Sequence, residues 1–303
     1  MHINILETTL GAAAMIAVPL AAFDLNGGAT RDAVPAVPVV EIASSAFDYP
    51  LPGEFLLDGR PAAAPVQRVE VPAFAIMKHQ VGLADYGRCV AEGACAAPQT
   101  RASDADVPVT GVSRLDAEAY ARWYSKRTGE TWRLPSALEL AAAAGERFAG
   151  ESAASAPDDP DNPAVRWIRK YREEAAAKRV PEPNAMPFGH YGANSAGLED
   201  FAGNIWEWTS TCYQRVTLSA DGESVVSRVE NCGAYILEGR HRAVMSEFVR
   251  DGKSGGCATG TPPDNLGFRL VRDDTSASAI ARLTAKIRTM LPFAGQAGTG
   301  TAL

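Results

Sequence analysis

The chain has 303 residues, of which 46% are hydrophobic and 21% charged, and its formal net charge at pH 7 is −7. A chain of this length and composition buries a sizeable core, as one large domain or two small ones. The acidic balance excludes nucleic acid as an expected partner, because that role needs a basic face. The sequence contains no P-loop, G-x-S-x-G motif or dinucleotide fingerprint, so nucleotide-binding and serine-hydrolase functions have no motif behind them.

The first residues are typical of a targeting segment. Residues 11–23 form an apolar run that is too short to span a bilayer and suits the core of a signal peptide. No Lys or Arg precedes this run, and Glu7 lies where a positive charge is expected, so an N-terminal anchor or a buried helix stays open. We predict a signal peptide or anchor over residues 1–29 and a periplasmic location, with no other stable membrane integration.

The remaining chain divides by composition. Residues 30–46 are rich in Ala, Pro and Val without periodicity, and they are predicted to form a linker. A folded domain is expected over residues 47–273, beginning with short strands near 54–55, 69–71 and 73–77. Residues 274–303 are predicted to be a tail.

Two helices have clear start sequences. Ser113 with Asp116 and Ser136 with Glu139 both have the spacing in which a hydroxyl and a carboxylate satisfy free backbone N–H groups. Gly129 is the expected end of the first helix. The acidic, proline-rich residues 154–163 are predicted to be a solvated loop, followed by a charged surface helix over 166–178.

The five cysteines suggest two disulfides. Cys89 and Cys95 bracket a short loop, where a disulfide would need an oxidising compartment; two unpaired cysteines are the alternative. Farther along, Asp221-Gly222 lies between two β-prone runs and predicts a hairpin. A three-residue loop at 221–223 puts Cys212 opposite Cys232. A disulfide there leaves Cys257 as the odd thiol.

One loop carries most of the information about the family. Residues 194–208, NSAGLEDFAGNIWEW, are too irregular for an amphipathic helix and too glycine-rich for a plain strand. With residues 265–269, NLGFR, and residues 133–136, RLPS, this loop resembles the formylglycine-generating-enzyme (sulfatase-modifying factor) family. That resemblance covers about residues 47–273. It implies a single α+β domain of the formylglycine-generating type, related to C-type lectins, with much irregular structure.

The resemblance also implies a structural calcium ion. Its ligands would be the side chains of Asp200 and Glu207 and the backbone carbonyls of Gly203 and Ile205. Calcium takes six to eight oxygen ligands, and this set supplies four. The alternative is a loop held by its tryptophans and hydrogen bonds alone.

The reaction of the family is not expected here. Formylglycine-generating enzymes hold copper with two thiolates, which are ligands suited to Cu(I). The stretch that matches those cysteines is shorter than the family pattern: one position is Leu237 or deleted, and the other falls near Glu238. Neither is a cysteine, so the copper mechanism lacks its ligands. Copper or iron held by other groups stays open. Cys212, Cys232 and Cys257 are the thiols that remain, while His190 and His241, with no obvious third ligand, make a weak iron site.

A charged cluster follows at the same place in the sequence. Glu238, Arg240, His241 and Arg242 are predicted to bind an anionic substrate or a peptide carboxylate, and with Cys257 they are the candidate catalytic residues. Arg133 and Arg269 are expected to be buried structural arginines, as the resemblance to the family suggests.

The segments CVAEGAC (residues 89–95), EGRHR (238–242), MSEFVRD (245–251) and GGC-x-x-G-TPPDNLGFRLVR (255–272) make the whole sequence resemble the NirV-type subgroup of the family, which is encoded with copper nitrite reductases. This resemblance implies an exported accessory or maturation protein whose partner is a periplasmic protein such as nitrite reductase. The alternative is a metal-dependent oxidase that modifies a protein side chain or a peptide-derived substrate. Formylglycine generation itself is not expected, because the copper cysteines are absent.

Overall fold

The computed structural model describes residues 34–100, 106–148, 184–222, 224–252 and 265–273. The predicted targeting segment, acidic loop, surface helix and tail, as well as Cys257, lie outside the described residues. Within these residues twelve β-strands, three α-helices and a short 3₁₀ turn are present, which agrees with the expected mixture of helix and strand. None of the described helices is long and apolar enough to cross a membrane.

The first sheet has four antiparallel strands in the order β1-β6-β12-β7. Its central residue, Ile76, is fully buried and pairs with Val40 on one side and Val271 on the other. The sheet therefore joins the two ends of the domain. Its strands are β1 (Val39–Ile42), β6 (Phe74–Met77), β7 (Thr131–Arg133) and β12 (Val271–Asp273).

The folded region starts earlier than residue 47, so the predicted linker is wrong in its second half. Residues 39–42 form β1, which pairs along its whole length with β6. Ile42 is buried and Val40 packs against the same apolar cluster. The sequence lacked helical or strand periodicity there because the strand is short and only partly buried.

A second sheet has the order β10-β9-β8-β3-β4, with β11 added in parallel to β8. The long strand β8 is its centre, because it pairs with β9, β3 and β11. Strands β2 (Ser45–Pro50) and β5 (Val66–Val71) form a separate two-stranded ribbon. The strands of the second sheet are β3 (Glu54–Leu57), β4 (Arg60–Ala62), β8 (Trp206–Leu218), β9 (Val225–Glu238), β10 (Ala243–Ser246) and β11 (Leu266–Gly267).

The β8–β9 hairpin and both disulfides confirm the predictions for this region. Tyr213 pairs with Asn231, which is the register predicted from the sequence, and Cys212 is bonded to Cys232. At Cys212 the register shifts, so that Cys212 pairs with Tyr235 in the ladder. The disulfide thus spans an irregularity that the sequence did not predict. Elsewhere, Cys89 is bonded to Cys95.

The helices are α1 (Leu83–Ala91), α2 (Arg114–Thr128) and α3 (Ala137–Ala144), and α2 and α3 begin where the sequence predicted. Both predicted capping boxes are present, at Ser113 with Asp116 and at Ser136 with Glu139. Gly129 ends α2 in the left-handed conformation, with φ of 75°.

The largest apolar cluster lies between α2 and the residues just before β12. Tyr120 of α2 is fully buried and its ring contacts those of Tyr86, Tyr124 and Phe268. Burial of each such ring contributes about 1.5–3 kcal/mol. Phe268 is therefore packed against α2, and this contact also fixes the position of the next residue, Arg269.

Arg133 connects the start of α3 to the first sheet. Its guanidinium donates to both carboxylate oxygens of Glu139, at 2.7 and 2.6 Å, and to Asp273 at 2.7 Å. Burial raises the pKa of Glu139, but its bonds to Arg133 and Ser136 outweigh this effect and hold the pKa below its ordinary value. The predicted structural role of Arg133 is confirmed.

We predict that Glu139→Gln reduces the acid sensitivity of the fold. Because the folded pKa of Glu139 is lowered, its stabilisation is present above pH 4.5 and is lost as the pH falls through the folded pKa. The amide keeps the helix cap but loses the charge, so we expect a loss of about 1–3 kcal/mol at pH 7. Urea unfolding from pH 7 to pH 3 measures the difference, which should shrink with acid.

Glu70→Gln is the matched control, since Glu70 is an exposed strand carboxylate. Its curve should follow that of the wild type within about 0.5 kcal/mol at every pH. A constant difference between Glu139→Gln and the wild type across this range would contradict the role given to the charge.

Candidate functional site

The glycine-rich loop begins at Asn194, which joins it to the end of α3. The side-chain NH₂ donates to the carbonyls of Ala143 and Ala144, at 2.7 and 2.9 Å. Its oxygen accepts from the backbone N–H groups of Ala196 and Leu198. The last carbonyls of a helix lack donors within the helix, so one amide both caps α3 and turns the loop.

Asp200 organises the middle of the loop from the inside. Its two carboxylate oxygens accept the backbone N–H groups of Gly189 (2.6 Å) and Tyr191 (2.8 Å). Asp200 is fully buried and has φ of 59°, a left-handed conformation rare outside glycine. At Gly203 a Cβ atom would overlap the ring of Tyr191, so only glycine permits this approach.

A fully buried ion pair lies where the loop enters β8. Arg269 donates to Glu207 through Nε at 2.6 Å and Nη2 at 2.7 Å, and neither side chain is exposed to solvent. Gln80 also donates to Glu207, at 2.8 Å. The remaining Arg269 donors reach the carbonyls of Lys78 and Glu199, at 2.9 and 3.0 Å. The structural role predicted for Arg269 is confirmed: it ties β8 to the loop and to the residues after β6.

Three of the four groups predicted to bind calcium already have donors from this chain. Both Glu207 oxygens accept from Arg269, and both Asp200 oxygens accept backbone N–H groups. The carbonyl of Gly203 accepts from Arg240 Nη2 at 2.9 Å. Ile205 places its side chain in the core. A cation would have to compete with two arginines for these oxygens, so the set does not fit calcium in this arrangement. Calcium there stays a prediction of the motif.

Two of the predicted substrate-binding charges are buried and bonded to each other. Arg242 donates to Glu238 at 2.8 Å, to the Pro50 carbonyl at 3.0 Å and to the Tyr49 hydroxyl at 3.1 Å. Burial, together with the nearby Glu238, raises the pKa of Tyr49, although Arg242 opposes this effect. Glu238 and Arg242 therefore connect β9 to β2, and both are buried.

Arg240 and His241 lie between these buried charges and remain partly exposed. Arg240 bonds the Gly203 carbonyl, as described above. The Trp206 indole donates to the His241 carbonyl at 3.0 Å, and the two rings meet edge to face at 5.2 Å. A Cβ atom on Gly239 would lie 2.7 Å from Trp206, so the turn packs directly on this ring. The structure thus brings Arg240 and His241 to the glycine-rich loop, as part of its support.

Two cysteines and a glutamate form a cluster of which the sequence predicted only the cysteines. One ligand atom each of Cys212, Glu230 and Cys232 lies within 4.8 Å of the others, the one such group found in the described part of the chain. Glu230 precedes Cys232 by two residues, a strand spacing that places both side chains on one face and could have revealed it. In this structure the two sulfurs are bonded to each other. Cys257, the remaining thiol candidate, lies outside the described residues.

Comparison with known proteins gives a family match over most of the chain. The family model for the sulfatase-modifying factor enzyme 1-like domain matches residues 49–274. A formylglycine-generating enzyme of Mycobacterium tuberculosis is 30% identical over 190 residues, which are 56% of this chain and 58% of that protein. An "inactive C-alpha-formylglycine-generating enzyme 2" of Bos taurus is 33% identical over 54% of this chain and 50% of its own.

Among solved structures, that of PvdO from Pseudomonas aeruginosa is similar, with a TM-score of 0.48 and 22% sequence identity. The alignment covers 78% of this chain and 95% of PvdO. The chain spans only about half the length of the two curated relatives that it matches.

We predict that Arg269→Met strongly destabilises the protein. The change leaves the Glu207 carboxylate buried without its cation. We expect this to lower the free energy of unfolding by about 3–5 kcal/mol. Urea unfolding followed by tryptophan fluorescence measures the loss. If the single variant does not fold, Glu207→Met combined with Arg269→Met should fold, because it removes both charges.

Arg272→Met is the matched control, because Arg272 follows Arg269 closely in the sequence and lies on β12. Arg272 pairs with Glu41 and Glu130 at 3.3 and 3.4 Å, near the surface. Loss of such pairs costs about 1 kcal/mol or less. Equal, small effects of the two substitutions would contradict the importance of the buried pair.

We predict that calcium does not change the thermal stability of the wild type. A ligand that binds only the folded state raises the melting temperature with its concentration, and the occupied oxygens leave calcium no ready site. Differential scanning fluorimetry in millimolar calcium and in excess EDTA is the measurement. A melting temperature that rises steadily with calcium would instead support the calcium site predicted from the motif, with rearranged side chains.

Proposed function

Since the chain belongs to the sulfatase-modifying factor enzyme 1-like family, we propose that it is an exported accessory protein that binds another periplasmic protein during maturation. The resemblance to the NirV-type subgroup suggests a copper nitrite reductase as the partner. Binding is the function proposed for the domain, and formylglycine generation is not.

The observation that carries this proposal is the burial of the positions where the family resemblance places the copper thiolates. Leu237 and Glu238 occupy them; both are buried, and Glu238 is bonded to Arg242. A copper-dependent oxidation needs thiolate ligands that a substrate can approach, and neither residue supplies one. The similarity to a relative named as inactive supports a member of the family without this chemistry.

The binding surface that we propose is centred on Phe248. Its side chain is 71% exposed, the highest value among the large apolar residues of the described chain, and Leu115 is 45% exposed. The two are neighbours in space, because the backbone N–H of Leu115 and that of Arg114 both point to the carbonyl of Glu247, at 3.5 and 3.1 Å. Exposed aromatic side chains are frequent at the centres of protein interfaces.

The test is binding of the mature chain to purified copper nitrite reductase, measured by calorimetry in the presence of EDTA. We expect binding without added metal and a loss of about tenfold or more in affinity for Phe248→Ala. Val66→Ala is the matched control, since Val66 is 59% exposed on β5. It should bind like the wild type. No binding to nitrite reductase, or equal losses for the two variants, would contradict the proposal.

A second candidate is a metal-dependent oxidase, favoured by the cluster of Cys212, Cys232 and Glu230. A dithiol reductant would first have to open the disulfide to free the two thiolates. Elemental analysis and oxygen uptake separate the two functions. Stoichiometric copper or iron, with oxygen uptake that depends on His241 or Cys257, would favour the oxidase. Conversion of a C-x-P-x-R peptide to the aldehyde would contradict both proposals.

A further inference from the structure

The outer edge of β9 is unpaired over most of its length in the described part of the chain. Residues 225–233 are nine consecutive exposed residues; those from 225 to 231 pair with β8 alone among the described strands, while the Gly233 carbonyl accepts the backbone N–H of Glu247 at 3.2 Å. Strand β10 covers the same edge of β9 only from Ala234 to Leu237. The earlier part of β9 therefore presents backbone N–H and C=O groups on which another strand can pair.

The side chains along this edge include exposed valines and only two charged residues, Arg228 and Glu230. Three of the six exposed large apolar residues of the described chain lie here, namely Val225, Val226 and Val229. The segment VVSRVENCG contains no proline or lysine, the residues that most often prevent edge pairing. A long, valine-rich edge in water indicates that another strand covers it in the functional state.

The charges on this edge are complementary to those of a second copy. The midpoint of residues 225–233 is Val229. An antiparallel pairing about a two-fold axis at Val229 puts Arg228 opposite Glu230 of the second copy, and Glu230 opposite its Arg228. Both side chains are exposed, and neither has a hydrogen bond or ion pair among the residues that the structure describes. Opposite charges directly across two strands stabilise the pair.

Other symmetric registers are less favourable. An axis at Arg228 would place that arginine opposite itself, and an axis at Glu230 would do the same with the glutamate. Like charges directly opposite each other are destabilising. The register centred on Val229 instead places opposite charges across the two strands in both pairs.

We propose that β9 mediates homodimerisation by antiparallel pairing of residues 226–232 from two copies, in the register centred on Val229. The isologous contact joins the two β8–β9 sheets into one continuous sheet. A contact of this size is smaller than a standard interface, so the dimer should dissociate in the micromolar range, that is, at about 1–100 μM. The proposal does not depend on the function proposed for Phe248, which lies beyond β10.

Sedimentation velocity over a concentration series tests the dimer. The wild type should shift from monomer to dimer as its concentration rises. Arg228→Glu should weaken association by about tenfold or more, because it places two negative charges opposite each other in both cross-strand pairs. The exchanged variant, Arg228→Glu with Glu230→Arg, restores both opposite-charge pairs and should dimerise like the wild type. A wild type that stays monomeric, or an exchange that fails to restore the dimer, would overturn the proposal.

A cysteine crosslink tests the register itself, in a Cys257→Ser background. Val229→Cys lies opposite itself, within the Cα separation that a disulfide spans, and should form a crosslinked dimer on mild oxidation. Val225→Cys is the control, because Val225 lies opposite Gly233 in this register. Crosslinking of Val225→Cys in preference to Val229→Cys would refute the register.

Discussion

Two full charges, on Glu207 and Arg269, lie where no solvent reaches either side chain. Removing such charges from water costs several kcal/mol for each, and only well-placed partners offset that cost. Here the partners come from the loop after β6, the glycine-rich loop and β8. The pair can therefore form only when these segments are all in position. Phe268, next to Arg269, packs on α2 and extends the same constraint to the aromatic core.

The second buried pair follows the same principle on the neighbouring strand. Glu207 and Glu238 are directly opposite residues of β8 and β9, and each has its own arginine. The charges that the sequence suggested for substrate binding are thus used to hold the strands and loops together. Arg240 and His241 stay near the surface, yet both also support the glycine-rich loop. This distribution favours a binding role at exposed apolar residues over chemistry at the buried cluster.

The sequence predicted best what depends on neighbouring residues. The capping boxes at Ser113 and Ser136 need only a spacing of three, and the register of the β8–β9 hairpin follows from its turn. It failed where partners are distant: Arg242 bonds Tyr49 across 193 positions, and β1 is defined by its pairing with β6. The motif placed Asp200 and Glu207 in one loop, whereas Glu207 lies in β8, and it could not show that Arg269 and backbone N–H groups occupy their oxygens. The packing of the folded chain determines which donor binds each carboxylate.

The central claim is that a protein cation, Arg269, compensates the charge of Glu207. A double-mutant cycle with Glu207→Met and Arg269→Met, measured by urea unfolding with EDTA present, tests it most directly. The account predicts a coupling free energy of about 2 kcal/mol or more, with the double variant more stable than Arg269→Met alone. A coupling near zero, together with stability that falls when EDTA replaces calcium, would contradict it and assign the charge of Glu207 to a bound metal ion.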